Sequence, residues 1–224
     1  MFLEMPPEPN QLSETAMQRL PSGRHRLTPD AVAASQQGRM LYAIMKSVAE
    51  KGYGATTVAD VCELAGVSRR TFYEQFESKE ECFLAAYDTG VEILLGRMAE
   101  ATEALGESDW RAVTRSDLET YLKLLADEPE FAWSLHIEVL AAGPAALERR
   151  AAIFGIFTER TRRLYEVARR EDPDLPELPD EVFRIHTGGM DELVRDHLRS
   201  RGAATLPELT DPAVAATVAL FERG

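Results

Sequence analysis

Between Ser68 and Gln75 the chain reads SRRTFYEQ, which crowds hydrogen-bond donors into about two helical turns. Arg70 can present two parallel N–H groups to guanine O6 and N7, and the Thr71 methyl can rest against that of thymine. Arg69 can reach a base or a phosphate. Tyr73, Gln75 and, further on, Lys79 offer donors suited to phosphate oxygens, while helix starts at Thr57, Ser68 and Ser78 would add amides and positive dipole ends. The same residues also fit an ordinary solvated helix surface with Tyr73 half-buried. How the segment is held decides between the two.

Three start signals hold it. Thr57 followed by Asp60, and Ser78 followed by Glu81, have the spacing at which a hydroxyl takes an amide of the first turn and a carboxylate reaches back. Ser68 supplies the hydroxyl half for a middle helix. Ala65-Gly66-Val67 separates the first two helices, and a glycine there can take the positive φ of a tight corner. Val58, Val61, Ala65 and Val67 then face inward with Phe72 and Phe76, leaving Arg69, Arg70, Thr71, Tyr73 and Gln75 on the outside or rim. This pattern is a helix-turn-helix with Ser68 to Phe76 as the reading helix, the element that lies in the DNA major groove.

The run from Leu41 to Tyr87 resembles the DNA-binding domain of the tetracycline-repressor-like (TetR) family of bacterial one-component regulators. A Gly-Tyr-x-x-Thr-Thr lead-in, an Ala-Gly-Val-Ser turn and a Thr-Phe-Tyr-x-x-Phe-x-Ser-Lys-Glu segment carry the match. Gln75 departs from the histidine often found in the family, and Glu74 from a basic residue. Gln75 can still donate to phosphate, whereas Glu74 would repel it and stays outside the contact set. The resemblance implies a homodimer with a helical ligand-binding body, its last two long helices pairing with the partner's copies.

Composition sets the limits. A chain of 224 residues with 45% hydrophobic content can bury one or two cores. No apolar run reaches the roughly 18 residues of a membrane span, and MFLEMPPEPNQLSETAMQRL lacks the layout of a secretory signal, so a cytoplasmic protein is expected. The net charge of -13 argues against a polyanionic partner until its distribution is considered. Residues 21–82 balance eight basic against eight acidic side chains, and the excess acid lies mostly in residues 83–224. DNA binding with weak non-specific affinity and a modest salt slope follows. Cys62 and Cys82, the only cysteines, have no metal-ligand spacing and read as buried thiols, with a redox sensor as the alternative.

Residues 1–22, rich in proline, form an expected disordered tail; residues 23–77 form the helix-turn-helix domain, and 78–224 the larger sensing and dimerisation domain. Arg24 and Arg26 make a basic arm of the kind that enters a minor groove, a solvated linker being the duller reading. Thr28 can cap a first helix running from Pro29 to Lys51, with Leu41, Ile44, Met45 and Val48 on one stripe. A long helix from Ser78 to about Leu105, roughly 40 Å at about 1.5 Å per residue, would link the domains. Further helices are expected over 116–126, 130–142, 145–170, 181–200 and 213–221, with a proline-rich loop at 172–180. The fold class is all-α.

For the dimer, Val182, His186, Gly189, Met190, Leu193 and His197, followed by Val214, Val218 and Phe221, have the spacing of a contact stripe, an intrachain core being the competing account. Tyr87, Val91, Tyr121, Trp133, His136, Phe154 and Phe157 are candidates for an apolar effector cavity, with His136 and Glu138 as polar anchors. Plain core is the alternative for each. No enzyme, cofactor or metal site is expected: His25, His136, His186 and His197 are scattered, and neither HExxH nor CxxC occurs. The reading is a homodimeric regulator, most simply a repressor released from a palindromic operator on double-stranded DNA by a small apolar or amphipathic effector. A helical ligand-binding protein without DNA binding is the alternative.

Overall fold

The computed structural model describes residues 29–106 and 108–223. The expected tail, the arm with Arg24 and Arg26, and the Thr28 cap lie outside them. Among the described residues there is no strand. In chain order the helices are α1 (Pro29–Lys51), α2 (Val58–Ala65), α3 (Arg69–Tyr73), α4 (Lys79–Ala104), α5 (Trp110–Asp127), α6 (Pro129–His136), α7 (Pro144–Glu171), α8 (Asp180–Arg201) and α9 (Thr210–Arg223). Two 3-10 segments, Glu138–Ala141 and Ala203–Leu209, complete them. The chain divides after Thr89 into two compact units, and α4 begins in the first and ends in the second.

In the first unit Met40, Ile44 and Val48 of α1 are fully buried together with Val61, Phe72 and Phe83. Arg39 is buried on the same helix, because its Nε donates to the Ala65 carbonyl at 2.9 Å and so satisfies an open end of α2. Thr56 donates its hydroxyl to the Gly52 carbonyl, fixing the chain that leads into α2. The short helices thus rest on a long one through apolar packing and a few side-chain ties.

The second unit is centred on Trp110, Tyr165, Leu175, Phe183 and Phe221, with the Tyr165 and Phe221 ring centres 4.8 Å apart. Its helices differ from expectation at three ends. α5 starts at Trp110 rather than Ser116, because Asp109 caps it by accepting from the Ala112 amide and Trp110 is needed in the core. The expected helix over 130–142 breaks after His136 into a 3-10 turn. α9 starts at Thr210, with Pro212 inside its first turn, where a missing amide costs no hydrogen bond. Within this unit Gly90 of α4 lies against the Phe131 ring of α6, so closely that a Cβ would overlap it.

Candidate functional site

The first unit builds an outward-facing α3. Thr57 and Asp60 form a complete capping box, and Gly66 ends α2 in the left-handed region at φ 64° and ψ 40°. Ser68 then accepts from the Thr71 amide at 3.0 Å, starting a helix of only five residues. Phe72 and Phe76 are buried beneath it. Arg69 and Tyr73 stand exposed, and Thr71 and Gln75 are half-buried at the rim. The Arg70 side chain is 88% exposed, and its Nε donates to Glu74 Oε1 at 2.9 Å. With that edge taken, the Nη1/Nη2 end of the fork points outward, the end that can lie on a guanine.

Two residues of the expected contact set have internal duties. Ser78 accepts from the Glu81 amide, but the Glu81 carboxylate takes the Glu77 amide, one residue before the capping-box partner. Lys79 donates its ammonium to the carbonyls of Tyr53 at 2.6 Å and Thr56 at 2.8 Å and lies 4.1 Å from the Tyr53 ring centre. Burial lowers its pKa, and one of three donors is left for any phosphate. Lys51 hydrogen-bonds Asp60 and, with Thr57, holds that carboxyl far below the usual range. Burial pushes the Cys82 thiol up to about 12 and raises Cys62 as well, which removes the reactive thiolate a redox sensor needs.

In the second unit the expected effector residues meet only in part. Tyr121 and Phe157 pack ring to ring at 5.7 Å, and Tyr121 Oη lies 3.0 Å from His136 Nε2. The other His136 nitrogen is 2.9 Å from Asp191 Oδ1, while Arg150 and Arg195 both donate to Asp191 Oδ2. Burial works against the Asp191 charge, but His136, Arg150 and Arg195 outweigh it and lower its pKa. Trp133 donates to Glu138 at 3.3 Å, and Phe154 lies under Arg150. Val91 is buried, and Tyr87, fully buried beside Phe83, belongs to the first unit.

An open groove of about 690 Å³ lies instead between α4, α5 and α7. Leu95, Val113, Ile156 and Leu164 wall it, and Asp117, Glu159, Arg160 and Arg163 bring charge to it. None of the seven expected effector residues lines it. Asp117 and Arg160 are 43 residues apart and bond through two N–H groups, at 2.6 and 2.9 Å. No local spacing in the sequence announces such a pair.

The expected dimer stripe is divided between the chain's own interior and its surface. Phe221 is fully buried against Trp110 and Tyr165, and His197 is buried with its Nε2 2.8 Å from Thr205 Oγ1. Both serve the chain's own interior. His186 lies 2.9 Å from Thr217 Oγ1, and Val218 packs against the core, so α9 turns largely inward. Val182, Met190 and Val214 are half-buried. Among the exposed residues of α8 the uncharged, apolar ones are Gly189, Leu193 and Ile185, the last 72% exposed and missed by the expected stripe.

Residues 41–86 match the family model described as bacterial regulatory proteins, tetR family. The HTH-type transcriptional regulator YfiR of Bacillus subtilis is 29% identical over 134 residues, which are 58% of this chain and 64% of that protein. The chain thus spans less than two thirds of that relative. Residues 41–86 thus carry the likeness to the tetR-family DNA-binding domain. Another relative, the HTH-type transcriptional repressor Rv1474c of Mycobacterium tuberculosis, is 27% identical over 190 residues, 80% of this chain and 88% of that one. The tetR-like fold extends beyond the head: a structure of the transcriptional regulator FadR from Bacillus subtilis, in complex with stearoyl-CoA, superposes with a TM-score of 0.72. It covers 80% of this chain and 96% of its own at 18% identity, a likeness of fold. The described residues are thus helical, with a helix-turn-helix at 58–73 inside the stretch that matches the tetR-family model. No described helix is long and apolar enough to cross a membrane.

Proposed function

We propose that the protein is a homodimeric repressor that leaves a palindromic operator when a small apolar or amphipathic effector enters its second unit. The observation that carries the DNA side is Arg70, held outward on a capped five-residue helix with buried rings beneath it. Arg70 and Thr71 read bases, and Arg69, Tyr73, Gln75, Ser68 and the start of α2 at Thr57 grip phosphates, joined by the one remaining donor of Lys79. Residues 23–77 act as the reading domain and 78–224 as the sensing and dimerising body.

One five-residue helix reads few base pairs, so two heads about 34 Å apart on a duplex are needed for specificity. The outward α8 residues Ile185, Gly189 and Leu193 support self-association, since exposed apolar side chains around a glycine let two helices approach closely. The effector side is supported by the groove in the second unit and by a similarly folded regulator that holds stearoyl-CoA. An effector that prefers the conformation with separated heads, with a coupling of roughly 1–3 kcal/mol, weakens DNA binding about 5- to 150-fold.

Selection from a random duplex pool with purified protein tests this reading. The expected result is an enriched palindrome that Arg70→Ala binds at least about tenfold more weakly, with unchanged helicity. An unenriched pool, or equal binding by Arg70→Ala, would overturn it.

A further inference from the structure

The groove between α4, α5 and α7 resolves the effector further, on the assumption that the regulator reading above holds. We infer that this groove is the effector site and that its occupant is an amphipathic anion: an apolar chain ending in a carboxylate or phosphate.

The volume, about 690 Å³, is that of a small-molecule site. Its apolar share is unfinished, because Ile156 on the wall is 47% exposed, and an apolar chain would cover it. The sign of the ligand's charge follows from counting donors and acceptors. Asp117 Oδ1 accepts from Thr102 at 2.9 Å and from Arg160 Nη2 at 2.6 Å, and Oδ2 accepts from Arg160 Nε at 2.9 Å. Glu159 Oε1 accepts from Arg162 Nη2 and Arg163 Nε, both at 2.8 Å, and Oε2 from Arg162 Nε at 2.8 Å. Both carboxylates are thus nearly saturated.

The guanidiniums are not. Arg160 keeps its Nη1, and Arg163, whose side chain is 73% exposed, keeps both Nη groups without a hydrogen bond among the described residues. Three residues apart on α7, the two lie on neighbouring positions of one helix face. A ligand entering here meets spare donors and occupied acceptors. An anionic oxygen group gains charge-assisted, forked hydrogen bonds, whereas an ammonium finds few open acceptor sites and two guanidiniums of its own sign. Arg160 also donates to Thr102 of α4, so the anion binds beside a bond that joins α7 to the helix leading back to the reading head.

The test compares four C12 probes by calorimetry on the full-length protein: dodecanoate, dodecanoyl-CoA, dodecanol and dodecyltrimethylammonium. One or both anions should bind at least about tenfold more tightly than the alcohol and the cation. Preference for dodecanoate assigns a carboxylate and preference for dodecanoyl-CoA assigns phosphates; either supports the inference. Arg163→Glu, at an exposed position, should weaken the anion about tenfold or more with helicity intact, and Ile156→Glu should weaken it too. Equal binding of all four probes, no binding of either anion, or full affinity in Arg163→Glu would overturn it. Selection on DNA without any probe runs in parallel. Anion binding without DNA binding removes the regulator reading and leaves the site, whereas DNA binding with no anion preference removes only the site.

Discussion

The two units satisfy their polar groups over different distances, and their tasks differ accordingly. In the reading head Thr57 bonds Asp60, Ser68 bonds Thr71, and Arg70 bonds Glu74, all within one helical turn. Only a few ties, such as Arg39 to Ala65 and Lys79 to Tyr53, cross it. The second unit works across helices: Asp117 with Arg160, His136 with Asp191, and Arg195 with the His136 carbonyl. Short bonds make a small rigid part whose long donors stay available to a polyanion. Long bonds set helices in register with one another, which suits the two-arrangement sensing body proposed above.

Four substitutions probe that contrast. Asp191→Ala removes the centre of the cross-helix network and leaves Arg150, Arg195 and His136 facing one another in a partly buried place. A loss of about 3–5 kcal/mol is expected in denaturant unfolding, and a loss under about 1 kcal/mol would show that the network does not hold the unit. Because the folded Asp191 pKa lies below the ordinary 3.8, its contribution is present above that value and fades as pH falls through the folded one. The deficit of Asp191→Ala should therefore shrink in strong acid.

Gly66→Ala challenges the head in the same way through its backbone. A Cβ in the left-handed region at φ 64° costs roughly 1–2 kcal/mol, to be read as a lower unfolding midpoint. An unchanged midpoint would mean that the corner relaxes. Glu128 offers a pH-dependent test in the second unit. Its side chain, ahead of Pro129, caps nothing, and burial, then Glu130 and Asp127, raise its pKa to about 7. A raised carboxyl contributes full stability below its ordinary 4.5 and loses it as pH rises through 7. Glu128→Gln should then raise Tm at pH 8 and leave it nearly unchanged at pH 4; an equal gain at both would refute the assignment. Glu74→Gln has the smallest expected effect. It should raise affinity for all duplexes by a few tenths of a kcal/mol while reducing discrimination at the base Arg70 meets, seen by anisotropy on matched and mismatched duplexes.

The same difference in range explains what the sequence disclosed. Caps and the glycine corner are local, so Thr57, Ser68 and Gly66 could be placed from spacing alone, and α1 has the expected ends at Pro29 and Lys51. Helical periodicity marks which residues turn inward but not which partner they meet. Phe221 therefore fitted a dimer stripe as well as it fits Trp110, and Tyr121 fitted a cavity as well as it fits His136. The groove was illegible for the same reason, since its polar pair joins α5 to α7. Glu74, set aside as a repulsive charge, turned out to orient Arg70, an i to i+4 contact that spacing could have suggested.

Gly90 has a consequence of its own. Because the Phe131 ring fills the place of its missing side chain, the two helices meet there as a peg in a socket. Any sideways travel of α6 must either drag α4 along or lift the ring clear. Bulk added at position 90 would jam the joint without touching either DNA or ligand.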